Sequence, residues 1–554
     1  MEFRKLTDEL TVSPQIGPDD MAAIKAAGFR SLVCHRPDGE GADQPLFREI
    51  EGAAKAAGLE VRYQPVVSGR MSDEDAAAFA GIMAELPKPV LAFCRTGTRS
   101  ASLWALSQAR SRPLPEILER SRTAGYDMAG IVRRIANGGR TPTDVADAVH
   151  DIVIVGGGSA GIAVAASLLG RHGDLDIAIV DPADVHYYQP GWTLVGGGIF
   201  DPADTVRTMS SVLPGGVKWI KAAVTAFEPK DDAIVLEGCR VVKYKRLIVC
   251  PGLKLDWHKI EGLVETLGRN GVTSNYRYDL APYTWELVRG LKSGRAVFTQ
   301  PPMPIKCAGA PQKVMYLSAD HWRRTGVLAD IDIGFHNAGG VLFGVAAYVP
   351  ALMAYVERYH ARLNFHHNLK AIDGPARKAW FVRKPPEGEA ETVEVGFDMI
   401  HVTPPQTAPD FIRVSPLADA AGWIDVDQGT LRHKTFANIY ALGDVSSAPN
   451  AKTAAAARKQ APVVAQNVLA DMGLRSARDA LYDGYGSCPL TVERGKIVLA
   501  EFGYGGKLLP SFPNWLIDGT HPSRLAWWLK ERVLPPVYWQ AMLKGREWMA
   551  RPKP

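Results

Sequence analysis

The run Asp151-Ile152-Val153-Ile154-Val155 has the character of a buried strand. It leads without interruption into Gly156-Gly157-Gly158-Ser159-Ala160-Gly161 and then into an apolar helical stretch, Ile162–Leu169. A second strand-like run, Ile177–Val180, ends at Asp181. In this order the residues predict a Rossmann unit. Gly156 permits the tight turn, Gly158 lets a diphosphate approach the helix N-terminus, Gly161 lets helix and strand pack closely, and Asp181 can hydrogen-bond a ribose. The candidate dinucleotide-binding residues are therefore Gly156, Gly158, Ser159, Ala160, Gly161 and Asp181.

This fingerprint does not separate FAD from NAD, and a later segment does. The run Ile439-Tyr440-Ala441-Leu442-Gly443-Asp444 reads as a strand ending in a Gly-Asp turn, which in two-dinucleotide-domain flavoproteins carries an aspartate to the ribityl chain. Arg246–Cys250 followed by Pro251-Gly252 reads as the return segment of that fold, and Lys452-Thr453-Ala454 opens a helix aimed at the flavin. FAD is the expected cofactor, with Gly252, Gly443, Asp444, Lys452 and Thr453 added to its contacts. A second nucleotide domain would place another glycine fingerprint after the strand Ala296–Gln300. The chain instead runs through Pro301-Pro302-Met303-Pro304-Ile305-Lys306-Cys307-Ala308-Gly309-Ala310. Prolines lack the N–H donors of a diphosphate cradle, so a nicotinamide donor is not expected. Cys307 occupies the turn, flanked by Lys306 and Lys313, which favour a thiolate.

Upstream, helical and strand-like stretches alternate from Asp19 to Ala109, the pattern of a small α/β domain. Its last strand, Val90–Phe93, delivers Cys94 into Cys94-Arg95-Thr96-Gly97-Thr98-Arg99, with a helix expected from Ser100 to Ala109. A thiol at a helix N-terminus beside a forked cation has the setting of an activated nucleophile. Four residues separate Cys94 from Arg99, and this short loop favours a sulfane sulfur over a phosphoryl group. Asp38, in a Pro/Gly-bearing loop, is the candidate general acid, with His35 as a weaker assistant. The segment is similar to the small phosphatase-like family found beside persulfide-metabolising enzymes, through Cys94–Ser100 and Arg36-Pro37-Asp38-Gly39-Glu40.

Composition narrows the field further. A net charge of +5 over 554 residues without a strongly basic block argues against nucleic acid. The six cysteines, at 34, 94, 239, 250, 307 and 488, form no CxxC pair, so neither a zinc site nor a disulfide framework is expected. The start lacks a secretory h-region and no apolar run is long enough to span a bilayer, which reads as cytoplasmic and peripheral to the inner membrane.

Over roughly 150–545 the chain resembles sulfide:quinone oxidoreductases of the type that includes the mitochondrial enzymes. The motifs are His186-Tyr187-Tyr188-Gln189-Pro190-Gly191-Trp192-Thr193-Leu194-Val195-Gly196, Pro304–Lys313, His401-Val402-Thr403-Pro404-Pro405 and Ala451–Ala456. The resemblance adds Gln189 and Val224 to the cofactor contacts. It also implies two redox cysteines on the flavin face, one at Cys307 and one directly after the Gly-Asp turn, where this chain has Val445. A valine can neither carry a persulfide nor attack a flavin. The lost role would fall to an external thiol such as glutathione, to Cys94, or to Cys250, which reads as structural. Cys239 and Cys488 lack catalytic context, Cys488 lying in a Tyr485–Pro489 turn that the family shares.

Five of the 13 tryptophans, at 515, 527, 528, 539 and 548, fall in the last 40 residues among basic side chains. Leu525–Val533 and Tyr538–Trp548, separated by Pro535-Pro536, read as two amphipathic pieces lying in a membrane interface. The expected architecture is α/β throughout. Residues 1–110 form a phosphatase-like or sulfurtransferase domain, 111–149 a linker, 150–480 an FAD oxidoreductase core of two interleaved Rossmann domains, and 481–554 a quinone- and membrane-facing region. The expected activity is oxidation of sulfide or a related sulfur donor, with electrons passed to a quinone and sulfane sulfur handled by Cys307 and Cys94. A flavin reductase of another thiol or disulfide, and a redox sensor carrying a protein phosphatase, remain as alternatives, and the oligomeric state, a homo-oligomer included, stays open.

Overall fold

The computed structural model describes residues 2–42, 44–141, 149–475 and 479–552. The first domain is built on a sheet in which Leu10–Ser13, Val90–Phe93, Ser31–Cys34 and Glu60–Tyr63 lie parallel in that order, with Arg4–Lys5 antiparallel at the edge. Val90–Phe93 is central and wholly buried, as its unbroken apolar run requires. Its C-terminal end opens into the Cys94 loop and the helix Thr98–Gln108.

The stretch expected as a linker is part of this domain. Helices Leu114–Thr123 and Val132–Ala136 pack on it, and Ile117, Tyr126, Met128, Ile131 and Ile135 share one core with Leu10, Val90 and Leu103. Arg134, almost fully buried, donates to the Asp73 carboxylate at 2.6 Å and to the Met71 carbonyl at 3.0 Å. The Arg- and Gly-rich composition concealed this because the arginine is used internally. The expected boundary near Pro142 lies outside the described residues.

The second unit starts at Val149–Val155. Its parallel sheet runs Val217–Ile220, Ile177–Val180, Val149–Val155, Val241–Val249, Ile439–Ala441. The chain leaves it for a second parallel sheet ordered Val272–Thr273, Met399–His401, Gly294–Gln300, Ile331–Asn337, Arg362–Phe365. It then returns to the first sheet for Ile439–Ala441. Two Rossmann-type sheets are thus interleaved in one chain, each closing its own apolar core.

The C-terminal stretch forms one helical run from Arg524 to Lys544, and Pro535-Pro536 do not break it. The turns Leu529–Val533 and Val537–Ala541 are π-helical, a wider hydrogen-bond register that accommodates prolines unable to donate. Tyr538, Met542 and Leu543 are buried in the first Rossmann core, and Ala526 and Trp527 in a neighbouring cluster. The first domain also touches the flavoprotein-like core: Arg70 pairs with Glu228, Thr225 donates to the Gly69 carbonyl at 3.2 Å, and Arg133 reaches the Lys221 carbonyl.

Arg134→Ala leaves the Asp73 carboxylate without its buried cation. The variant is expected to be less stable by about 2–4 kcal/mol, read as a lower urea midpoint for the transition of the first domain. An unchanged midpoint would show that helix Val132–Ala136 does not belong to that domain's fold.

Candidate active site

The glycine-rich loop has the shape its sequence requires. A side chain at Gly156 would meet the Cys250 carbonyl at 2.5 Å, and one at Gly161 would meet the Gly156 carbonyl at 1.9 Å. At Gly158 nothing lies within 4 Å of where a Cβ would stand. The loop is closed underneath and open above, the form of a cradle for a diphosphate at the N-terminus of helix Ser159–Leu169. Asp181 sits at its edge, accepting from Gly157 N–H at 2.6 Å and Ala183 N–H at 2.8 Å, with burial raising its carboxyl. Val224 opens the strand Val224–Glu228 with its side chain in the core. Gly443 lies against Ala160, so the Gly-Asp turn faces the cradle. Burial likewise raises the Asp444 carboxyl. Gln406 accepts from Lys306 N–H at 2.7 Å while its amide nitrogen is buried without a partner. These residues fit a flavin dinucleotide.

Helix Ala454–Asp471 is capped by Thr453, whose hydroxyl accepts from Ala456 N–H at 3.1 Å. The Lys452 ammonium lies 4.0 Å from the Trp423 ring centroid and donates to the carbonyls of Asp444 and Ser446 at 2.6 and 3.1 Å. Burial lowers it to about 8. Lys306, also lowered to about 8 by burial, bonds the Gln189 amide oxygen.

Cys307 is held where these segments meet. Its N–H donates to the Lys452 carbonyl at 2.8 Å, and its carbonyl accepts from Ala310 N–H at 2.7 Å. Its φ of +48° is in the left-handed region, a strained conformation for a side-chain-bearing residue that the surrounding bonds must hold. Lys313, one turn into helix Ala310–Arg324, donates to the Cys307 sulfur at 3.1 Å.

The residue that sequence reasoning missed is Cys488. It lies on the strand Gly486–Glu493, paired with Lys496–Phe502, and its sulfur is 3.8 Å from that of Cys307. Gly309 makes the approach possible, because a Cβ there would strike Cys488 at 2.5 Å and Leu490 at 2.4 Å. The Cys488 thiol and the Lys313 ammonium together hold Cys307 well below the usual thiol range. Sharing that proton, with burial, pushes Cys488 well above it. The available cue was the Tyr485–Pro489 turn shared with the family, which reads as structural until the fold brings it to Cys307. Val445, by contrast, is wholly buried in the first Rossmann core. Cys250 donates to the Gly156 carbonyl at 3.6 Å beneath the cradle, and burial raises its thiol, the structural role expected of it. The Cys239 side chain lies outside the described residues.

Two C-terminal residues also belong to the site. Lys530 is buried, reaches the Pro190 carbonyl at 3.4 Å, and is lowered to about 8 by burial and by the Lys313 charge. Tyr538 hydroxyl lies 2.6 Å from both Ser159 Oγ and His186 Nε2. Burial takes His186 down to about 4, so this ring is neutral near pH 7.

In the first domain Cys94 is fully buried and accepts from Gly97 N–H at 3.1 Å. Arg99 donates to Glu40 at 2.7 Å and to the Val66 carbonyl at 2.8 Å, and Arg36 reaches the same Glu40 oxygen at 2.9 Å. Asp38 accepts from Phe47 N–H at 2.7 Å at the start of helix Phe47–Ala56, which gives it a capping role and weakens its candidacy as general acid. His35 pairs with Ser100 Oγ at 2.8 Å, and burial takes it to about 3. Arg95 and Thr96 line a cleft of about 400 Å³ shared with Asp410, Arg413 and Ala418–Gly422 of the core.

Two family models match: the phosphatase-like domain of beta-lactamase hydrolase-like proteins over residues 2–111, and pyridine nucleotide-disulphide oxidoreductases over residues 150–293. The mitochondrial sulfide:quinone oxidoreductase of Dictyostelium discoideum is 42% identical, covering 72% of this chain and 87% of that protein. The chain belongs to the sulfide:quinone oxidoreductase family. The Mus musculus relative is 38% identical over the same shares of the two chains. The family's fold recurs in the Aquifex aeolicus sulfide:quinone oxidoreductase structure, at 18% identity and a TM-score of 0.60, covering 73% of this chain and 92% of that one. The fused first domain is 33% identical to part of the Agrobacterium fabrum beta-lactamase hydrolase-like protein, covering 24% of this chain and 31% of that protein.

Lys313→Met removes the cation beside Cys307, so the thiol's pKa should rise. Iodoacetamide labelling of Cys307, followed across pH by peptide mass spectrometry, is expected to shift its inflection upward by at least ~1 unit, about 1.4 kcal/mol of lost thiolate stabilisation. An unmoved inflection would show that Lys313 does not hold the thiolate.

Proposed function

We propose that this chain oxidises sulfide at Cys307 beside a bound FAD, passes the electrons to a membrane quinone, and hands the sulfane sulfur to Cys94. The observation that carries this reading is a thiol kept acidic by Lys313 and fastened to Lys452 at the opening of helix Ala454–Asp471. The names of the relatives, sulfide:quinone oxidoreductases, support the same reaction.

FAD would be held by the Gly156–Gly161 loop at its diphosphate, by Asp181 at a ribose and by Gly443-Asp444 at the ribityl chain, with Gln189, Val224, Gly252, Lys452 and Thr453 completing the contacts. When bound, it supplies a two-electron acceptor. The chain's own side chains do the rest. Lys313 keeps Cys307 ionised, while Lys306, Lys452 and Lys530 make the surroundings attractive to hydrosulfide.

Access for the quinone is supported by the C-terminal stretch. It carries Lys530 toward the thiols while Leu508, Trp515, Leu516, Leu525 and Trp528 are exposed, Trp515 at 84%. No helix among the described residues is long and apolar enough to cross a membrane. An in-plane contact through these side chains suits a peripheral enzyme that draws its quinone from the lipid. Transfer to Cys94 would run through the cleft that Arg95 and Thr96 share with the core, with Cys94 itself buried directly behind them. The cleft leads from Arg95 and Thr96 to Gly422, beside the Trp423 on which Lys452 rests, and its volume suits a small thiol such as glutathione.

Anaerobic sulfide is expected to bleach the flavin absorbance and decylubiquinone to restore it, with Cys307→Ser abolishing the bleaching. A flavin indifferent to sulfide and promptly bleached by NADPH would overturn the reading. Gly158→Val fills the open side of the cradle and is expected to yield folded protein without flavin colour; full colour would displace the cofactor from this loop. Cys94→Ser should lose thiosulfate-to-cyanide sulfur transfer, whereas loss of phosphotyrosine-analogue hydrolysis instead would make the first domain a phosphatase.

A further inference from the structure

We propose that Tyr538 is a positioning residue for the cofactor loop, and that through it FAD in the cradle and the seating of the run Arg524–Lys544 depend on each other. The inference rests on the reading that the Gly156–Gly161 loop takes FAD.

Two hydrogen bonds hold the loop on either side of Gly158, its open position. On one side the Gly157 carbonyl lies 3.2 Å from His186 Nδ1, and on the other Ser159 Oγ lies 2.6 Å from the Tyr538 hydroxyl. Tyr538 also meets His186 Nε2 at 2.6 Å, so the two bonds are the ends of one chain. Its direction follows from the groups present. A carbonyl can only accept, so Nδ1 of His186 carries the proton, and the ring is neutral near pH 7 because burial lowers it to about 4. Nε2 is then an acceptor to which the Tyr538 hydroxyl donates; the Tyr187 carbonyl, at 3.5 Å, is the more distant acceptor. The Tyr538 oxygen in turn accepts from Ser159. The chain spends the Ser159 hydroxyl proton on Tyr538 and leaves the Ser159 N–H, first of helix Ser159–Leu169, for the diphosphate. A loop tethered on both flanks of Gly158 loses less freedom when a diphosphate arrives, which raises affinity without a new contact.

The run that delivers Tyr538 continues along the same helix. The Tyr538 ring packs on Tyr188 with centroids 4.7 Å apart. Gly545 comes so near that a Cβ there would stand 2.5 Å from the Ala166 carbonyl oxygen. Glu547 accepts from Ser167 Oγ and from Arg171, each at 2.6 Å. Contact therefore extends from the first residue of the helix to beyond its last. Coupling of this kind is reciprocal. Because the seated run tightens the loop, FAD in the loop steadies the run, and with it Lys530 near the thiols and Trp528 at the surface. Loss of flavin would loosen the segment that the proposed function turns toward the quinone.

The test uses the full-length chain, stripped of flavin and titrated with FAD by fluorescence quenching. Tyr538→Phe keeps the ring against Tyr188 and removes only the hydroxyl. Its FAD dissociation constant is expected to rise about tenfold, and an unchanged constant would overturn the proposal. Ser159→Ala should also weaken binding, but the double variant should bind FAD about as well as Tyr538→Phe alone, because both changes break one chain; losses that multiply would overturn it. Hydrogen exchange needs no variant. In the unmodified protein the amides of Val537–Lys544 should exchange several-fold more slowly with FAD bound than without, and equal rates would overturn the coupling. If the unmodified chain binds no FAD, the cofactor reading falls and the proposal with it. FAD bound equally well by the unmodified chain and by Tyr538→Phe removes the proposal and leaves the cofactor reading standing.

Discussion

One hydrogen bond joins the two halves of the candidate site: the Cys307 N–H to the Lys452 carbonyl, 2.8 Å. Cys307 belongs to the turn after Gly294–Gln300 in the second Rossmann sheet, and Lys452 to the segment that opens a helix of the first. The bond, continued as a short parallel bridge between Lys306 and Lys452, sets the thiol at the helix opening. The left-handed backbone of Cys307 is tolerated because both its N–H and its carbonyl are engaged. Lys313 then lies one helical turn away, and the strand carrying Cys488 can approach only because residue 309 is glycine. Thiolate, cation and second thiol all follow from where that turn is pinned.

The same placement explains the three buried lysines around it. Lys306, Lys452 and Lys530 each lie near 8 because burial disfavours their charge, whereas Lys313 is raised by the thiols it faces. Three lysines lowered to about 8 stay mostly charged at pH 7 and can attract a small anion. The third of these lysines comes from the C-terminal run, which also carries Tyr538 to Ser159 and exposed tryptophans to the surface. Cradle, thiols and apolar surface are therefore linked through one segment rather than through separate domains.

Much of this was legible from residues close together in sequence. The first Rossmann unit, the Gly-Asp turn and the thiol turn are local patterns whose chemistry follows from backbone geometry, and the Cys94 loop announces itself as strand, thiol, glycine and arginine. What the sequence did not reveal depends on tertiary placement. Cys488 becomes a partner only because strand Gly486–Glu493 packs across helix Ala310–Arg324, 181 residues from Cys307. The helices at 114–136 were hidden by a composition typical of connectors, yet Arg134 is buried against Asp73. The proline pair looked like a break, yet it sits in the short α-helical turn Leu534–Pro536 between two π-helical turns that carry the run across it. Asp38 looked like an acid because its capping bond to Phe47 is invisible without the fold.

On the proposed reading, sulfur enters beside Cys307 and not at the first domain. Isotopically labelled sulfide, mixed anaerobically with the oxidised protein, acid-quenched in milliseconds and followed by peptide mass spectrometry, locates the sulfur at its first stop. One labelled sulfur atom is expected first on the Cys307 or Cys488 peptide of the core, with label on Cys94 appearing only later. Label arriving first on Cys94 would contradict it.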